Sequence, residues 1–442
     1  MEPSDHLFRR EAGRMVAALT RIFGVHNLAL AEDVVQDAFC RAIEVWKFRG
    51  VPDNPSAWLM AAAKNRALDV LRRQRTAQTV APELGRLLES EWTLAPAVDE
   101  VLGAGSIQDS TLRMMFSCCH PRLSEAAQVA LILNILCGFS VHEIASAFTS
   151  GDAAIEKRIV RGKKVLAESK RLFDTTVPAD FLARLPAVQR ALYLLFNEGY
   201  HGASPQASVR LELCNEAIRL IAILLQHPPG KTPSTYALAA LMTLTAARLP
   251  SRTDSSGNLI GLFNQDRCRW DRARISDGIR LLELSASGNE LTSYHIEAAI
   301  ASTHAVALRT EDTDWNRIIS LYDALMRINT SPIVALNRAI ALAERDGPER
   351  GLDAIKGISN LERLACYPFY PAAVAELELR CGSRDAARKH FQEALARARN
   401  AMERRFFEQR LAACELASAL PGEAQFLDLQ LETSPPGDGG ES

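Results

Sequence analysis

The feature that most constrains this chain is its periodicity. Apolar residues, chiefly Ala and Leu, recur at helical spacing along almost all of the 442 residues, and no strand-like alternation persists. The expectation is an all-α protein. At this length a single core stops growing, so the helices are expected to divide among several domains. The 51 Lys and Arg nearly cancel the 53 Asp and Glu, leaving a formal net charge of −2. Any surface meant for nucleic acid therefore has to be local.

Punctuation divides the pattern. Residues 5–76 hold three or four helices. Residues 77–108, with Pro82, Pro96, Gly103 and Gly105, are predicted to be a linker, and 109–172 form a second helical block. From 177 to 300 and again from 301 to 420 helices follow one another, interrupted by stretches such as Pro228-Pro229-Gly230 and Ser255-Ser256-Gly257. Residues 433–442 are composed like a disordered tail.

Nine cysteines without regular spacing suggest reduced thiols rather than a disulfide framework. Cys118, Cys119 and His120 are the only tight cluster, and adjacent residues wrap one metal poorly, so no metal or cofactor is expected. MEPSDHLFRREAGR lacks the apolar stretch of a signal peptide, and VALILNIL (129–136) is too short to span a membrane. These observations predict a cytoplasmic protein with no membrane partner.

The most informative segment is LSEAAQVALILNILCGFSVHEIASAFTSGDAAIEKRIVRGKKVLAES (123–169). Ser124 is a candidate N-cap, Gly138 a helix stop, and Ser140 with Glu143 a capping box. Thr149-Ser150-Gly151 reads as a turn, with Asp152 as the cap of the next helix. A short helix, a Gly-containing turn and a basic helix form the order of a helix-turn-helix. At 100° per residue Ile155, Ile159, Gly162 and Leu166 face inward, while Ala153, Lys157, Val160, Arg161 and Lys164 face out with Glu156 on the flank. A small, mixed outer face that ends in cations suits a major groove, early residues meeting base edges and later ones phosphates. An ordinary solvated basic helix is the competing reading, and the capping box and turn weigh against it.

The first block contains AEDVVQDAF (31–39) and, beyond KFRGVPDNP (47–55), PSAWLMAAAKNRALDVLRR (55–73). Val35, Phe39, Ala42 and Trp46 share one helical face, with Asp33, Gln36, Asp37 and Glu44 opposite. Ser56 is the expected cap of the second helix, whose Lys64, Arg66, Arg72, Arg73 and Arg75 oppose only Asp69. An acidic helix beside a basic one offers one surface to a protein and another to DNA.

These motifs, together with GFSVHEIASAF (138–148) and the helix after it, resemble regions 2 and 4 of the extracytoplasmic-function sigma factors of bacterial RNA polymerase. The resemblance implies that region 2 docks on the coiled coil of the polymerase β′ subunit and melts the minus-ten element, while region 4 reads the minus-thirty-five element of promoter DNA. Carried over by position, Asp33, Gln36 and Asp37 are the polymerase contacts. Phe48, Arg49 and Asn54 from the loop, with Lys64, Asn65 and Arg66 from the helix, lie near the melted strand. Ala153, Glu156, Lys157, Val160, Arg161 and Lys164 are the minus-thirty-five readers. Trp58 also matches, and is read as a core-packing residue rather than a base-stacking one. Glu156 stands where many relatives carry arginine, which implies a different promoter preference. The chain opens almost at region 2, so no autoinhibitory segment is expected ahead of it. A helix-turn-helix regulator that does not join polymerase, and an adaptor that binds only proteins, are the rival readings.

The resemblance continues through DSTLRMMFSCCHPRLSEAAQVAL (109–131), LYLLFNEGYHGAS (192–204), NQDRCRWDRARI (264–275) and DTDWNRIISLYDAL (312–325) to the subgroup with a long C-terminal extension. Within the extension, Ala375, Gly382, Ala387, Phe391 and Ala394 match the spacing of a tetratricopeptide repeat, and Gly347 precedes Gly382 by nearly one period. Repeats of this kind present a protein-binding surface. Asn197, Glu198, His201, Asp266, Arg267, Trp270, Asp271 and Arg272 are candidates to line a pocket for a protein or small-molecule ligand. The alternative is a set of buried ion pairs and caps. Glu198 and His201 form a single Glu-x-x-His without the further ligands of a di-metal bundle, so no enzymatic activity is expected.

Overall fold

The computed structural model describes residues 5–75, 109–148, 150–168, 178–202 and 209–416. Among these are eighteen α-helices and no strand, only an isolated bridge between Thr253 and Leu259. The all-α expectation holds. The predicted linker 77–108 and tail 433–442 lie outside the described residues.

Helix ends follow local chemistry. Helices α1 (Asp5–Phe23), α2 (Leu28–Arg49) and α3 (Pro55–Arg75) fill the first block. Helix α2 runs further than the sequence suggested: Phe48 and Arg49 belong to its last turn, and Gly50 at φ 77° ends it. Helix α3 is capped by Asn54, whose Oδ1 accepts from the Ala57 amide at 3.0 Å, rather than by Ser56. Proline at the first helical position gives up an amide that has no partner there anyway, which places the cap at the residue before Pro55, two residues upstream of Ser56.

The next block holds α4 (Ser110–Cys118), α5 (Glu125–Ile135), α6 (Val141–Ala147) and α7 (Asp152–Ala167). Ser124 caps α5. Ser140 and Glu143 make the reciprocal pair, the Ser140 amide donating to Glu143 Oε2 at 2.8 Å and the Glu143 amide to Ser140 Oγ at 3.2 Å. Asp152 does not cap α7; it is the first helical residue, Gly151 is the N-cap, and the Asp152 carboxylate faces His142 at 3.4 Å.

Helices α1–α7 (except Ala147 at the end of α6), the part of α8 (Pro178–His201) up to Leu192, and residues 223–231 make one compact unit. The division of the chain therefore falls inside α8, not ahead of residue 177. Aromatic burial accounts for this: Phe181 of α8 stacks on Phe116 of α4 with centroids 4.4 Å apart, and Arg184 donates to the Phe116 carbonyl at 3.0 Å. Elsewhere in the unit Gly13 of α1 meets the Leu136 carbonyl so closely that a Cβ would collide with it. Lys163 of α7 pairs with Glu32 of α2 at 2.7 Å. The first block and the α4–α7 block thus share one core.

The second unit contains the rest of α8, α9 (Leu211–Gln226) up to Ala222, α10 (Pro233–Ala246), α11 (Arg272–Ser285), α12 (Ser293–Val306), α13 (Trp315–Ile328), α14 (Pro332–Asp346), α15 (Pro348–Lys356), α16 (Phe369–Arg380), α17 (Arg384–Ala396) and α18 (Ala401–Leu416). The boundary predicted at 300/301 falls inside α12, because the apolar face of that helix is continuous and buries Ile296, Ile300 and Ala305. Helices α14 and α15 pack as a pair, as do α16 and α17. Gly347 at φ 100° and Gly382 at φ 80° turn the chain between their members, a conformation that costs other residues a Cβ clash. Ala375, Ala387, Phe391 and Ala394 are all buried in the core shared by α14–α18.

Candidate nucleic-acid and protein interface

Helix α7 separates its residues as the 100° projection predicts. Ile155, Ile159, Gly162 and Leu166 are buried, and Ala153, Glu156, Lys157, Val160, Arg161 and Lys164 are exposed. Gly162 is buried because Leu131 of α5 occupies the space a Cβ would need. Val160, 64 % exposed in the middle of the outward face, has no packing role in the unit. Among the other basic residues of the helix, Lys163 is half-buried against Glu32, so it belongs to the packing of the unit and not to the outward face.

Helices α2 and α3 form the second surface. Asp33, Gln36 and Asp37 are exposed along α2, on the side opposite buried Val34, Val35, Ala38 and Ala42. Asp37 accepts from Arg66 Nε at 2.8 Å, so one predicted polymerase contact is tied to one predicted DNA contact. Both groups stay about half exposed, and such a pair holds its partners only weakly. Lys64 is half-buried, while Asn65 and Arg66 are exposed. Phe48 is 85 % exposed at the end of α2, an aromatic face available for stacking. Trp58 meets Trp46 edge to face at 5.5 Å, which suits the packing role read from the sequence.

The predicted extension pocket resolves differently. Of the eight residues, Glu198, His201, Arg267 and Trp270 are buried in the second unit. Glu198 pairs with Arg210 at 2.6 Å. Arg267 donates to the carbonyls of His304 at 3.0 Å and Ala307 at 2.9 Å and to Thr313 Oγ1 at 3.2 Å, and its guanidinium lies 5.0 Å from the centre of the Trp270 ring. Trp270 Nε1 donates to Ser251 Oγ at 2.8 Å. Asp266 and Asp271 cap the elements that follow them, and exposed Arg272 reaches the Arg267 carbonyl at 3.3 Å. Asn197 is half-buried on α8.

Two residues missed at the sequence level join these clusters. Arg248 and Arg252 follow α10; both are at most 2 % exposed, and both guanidiniums lie over the Tyr200 ring, at 5.8 and 5.0 Å. Arg252 also meets His201 Nδ1 at 2.8 Å. Burial, then the charges of Arg252, Arg399 and Arg248, hold His201 well below the ordinary histidine range, so it stays neutral. His304 is depressed in the same way by burial, Arg248 and Arg267, and burial lowers Arg267 to about 10.

Among the described residues no helix is long and apolar enough to cross a membrane, and no group of three or more His, Cys, Asp or Glu is placed to hold a metal ion. Cys118 and Cys119 are buried, and burial raises both thiols, Cys119 to about 12, so they act as packing groups.

Comparison with known proteins gives two family matches. Residues 7–77 match the family model for sigma-70 region 2, and residues 184–286 match a family of unknown function, DUF6596. An uncharacterised protein of Rhizobium meliloti (strain 1021) is 38 % identical over 398 residues, spanning 90 % of this chain and 92 % of that protein. The RNA polymerase sigma factor CarQ of Myxococcus xanthus is 31 % identical over 167 residues, 37 % of this chain and 87 % of CarQ. The ECF RNA polymerase sigma factor SigK of Mycobacterium sp. (strain KMS) is 25 % identical over 165 residues, 36 % of this chain and 79 % of SigK. No solved structure matches. A region 2 model that ends within two residues of the end of α3, and a sigma factor of which this chain covers nearly nine-tenths, agree with the exposed faces of α2, α3 and α7: the chain belongs to the RNA polymerase sigma factors.

Proposed function

We propose that this sigma factor docks on the β′ coiled coil of core RNA polymerase through the acidic edge of α2, and opens the minus-ten element with Phe48, Arg49, Asn54, Lys64, Asn65 and Arg66. On the same reading α6 and α7 are a helix-turn-helix whose outward residues read the minus-thirty-five element. The observation that carries it is the exposure of the whole predicted set on α7, Val160 included, beside inward residues that are all buried. Apolar Val160 on a solvent face suits contact with a thymine methyl, and Glu156 suits a cytosine amino group.

The two elements are centred about 25 base pairs apart, which is about 85 Å of duplex at 3.4 Å per step. A unit in which α2 and α7 are joined by an ion pair does not span that distance. Promoter binding by both helices therefore requires the α1–α3 block to part from the α4–α7 block. The 32 residues from 77 to 108 can reach about 105 Å when extended, which is enough.

The extension is proposed to regulate the factor, and its α14–α17 pairs are read as degenerate tetratricopeptide-like repeats. The 35-residue offset places Lys356 where the later pair has Phe391, so only one pair carries the full pattern. The purified full chain, mixed with core polymerase, is expected to co-elute with it, and Asp33→Lys with Gln36→Lys is expected to abolish co-elution while leaving the fold intact. A wild-type chain that never co-elutes with core sinks the proposal.

A further inference from the structure

The cluster around Tyr200 contains one buried positive charge, that of Arg252, with which no carboxylate pairs among the described residues. Arg252 is 1 % exposed. Its partners are His201 Nδ1 and the face of Tyr200, both uncharged, and among the described residues no carboxylate pairs with it. Its Nε and Nη1 atoms are buried without a hydrogen-bond partner. His201 Nε2, His304 Nδ1 and Arg267 Nε are also buried without one. Arg267 is satisfied on its other nitrogens by carbonyls and a hydroxyl, again without an ion pair among the described residues. Arg248 lies over the same ring and depresses both histidines.

Elsewhere in the second unit three buried or half-buried guanidiniums are matched. Arg210 has Glu198, Arg410 has Glu376, and Arg399 has Glu403, each within 2.8 Å. Arg252 departs from that pattern. A desolvated guanidinium with open donors and no counter-charge strongly disfavours folding, and Arg is the side chain whose donor fork matches an oxyanion. We propose that Arg252, with Arg248 and His201, forms a buried binding site for a phosphate group, free or carried on a small molecule.

A phosphate group presents several acceptor oxygens to the open Nε and Nη1 donors of Arg252 and brings the counter-charge that this residue lacks. The guanidiniums lie beneath the surface, so a side chain held on another protein does not reach them. A small ion enters when the helices open locally. The inference does not depend on the promoter-reading proposal, because its readout is stability and not transcription.

The test uses the full chain in a chloride buffer at constant ionic strength, with inorganic phosphate in one arm and AMP in the other. Wild type is expected to gain about 3 °C or more in Tm in at least one arm at about 10 mM ligand. A response to phosphate alone identifies the free ion, and a response to AMP identifies an ester. Arg252→Met is expected to lose the response and, without ligand, to melt at or above the wild-type temperature, since it removes an uncompensated charge. A merely structural Arg252 gives the opposite sign, a lower Tm without ligand. If Arg252→Met does not yield folded protein, Arg252→Lys, which keeps the charge but loses the fork, is expected to need about tenfold more ligand for the same shift. No shift in either arm, or equal shifts in wild type and the Arg252 variants, overturns the proposal.

Discussion

The two units place their charges in opposite ways. In the first, Asp33, Asp37, Lys157, Arg161 and Lys164 are displayed on outward helix faces above an apolar interior. In the second, Glu198, Arg210, Arg248, Arg252, Arg267, Glu376, Glu403 and Arg410 lie within the core. An exposed charge has little effect on the fold and is free to meet a partner. A buried one carries a large desolvation penalty, so removing the partner of a buried pair is costly. The first unit therefore displays its charges where a partner can meet them, while the second packs its helices around buried polar groups.

The largest expected break in that comparison is at Glu376 and Arg410, 2.7 Å apart and each no more than 8 % exposed. Arg410→Ala leaves a buried carboxylate without its cation and is expected to cost about 3–5 kcal/mol, read by denaturant unfolding. A loss under 1 kcal/mol would place this pair with the surface bridges.

Acid should act next, and on the second unit more than the first. His201 and His304 are held neutral in the folded state by burial and by Arg248, Arg252, Arg267 and Arg399. Their folded pKa values lie below the unfolded value, so at pH below about 6.5 the unfolded chain takes up protons that the native state refuses. Stability is unaffected by these two groups above that pH and falls below it, by about 1.4 kcal/mol per pH unit for each histidine. Unfolding measured between pH 7.5 and 5.5 checks the sign. Replacing both histidines by Phe should flatten the slope, whatever it does to stability at neutral pH.

Within α7 the comparison sharpens to one turn of helix. Gly162→Ala drives a methyl into Leu131 and is expected to cost about 1–3 kcal/mol. Lys157→Ala with Arg161→Ala, on the outward face, should change stability by about 0.5 kcal/mol or less. The smallest effect concerns Arg66 and Asp37, whose exposed bridge is expected to contribute about 0.5 kcal/mol or less by double-mutant cycle.

Much of the first unit was legible because its determinants are local. The Ser140–Glu143 box and the Ser124 cap act across three residues, and the face of α7 follows from a fixed angle per residue. Where the reading slipped it slipped by two or three positions: Pro55 moved the cap from Ser56 to Asn54, and Phe48 and Arg49 stayed helical up to Gly50. The second unit was legible as helices and as a run of small and aromatic core residues, but its polar clusters were not. NEGYH and NQDRCRWDR stood out as dense in polar groups, yet what joins them is the 248–252 segment, with Arg252 bonded to a histidine 51 residues earlier and Ser251 to Trp270. Periodicity has no term for a charge that is buried because a distant residue receives it.

The central claim is that the exposed faces of the first unit select promoters for core RNA polymerase. It is tested most directly by in vitro transcription from genomic DNA with core polymerase and the full chain, comparing wild type with Lys157→Glu plus Arg161→Glu. The account predicts discrete start sites with wild type, and their loss in the variant although it still co-elutes with core. Transcripts identical for the two proteins, or none with wild type beyond core alone, would contradict it.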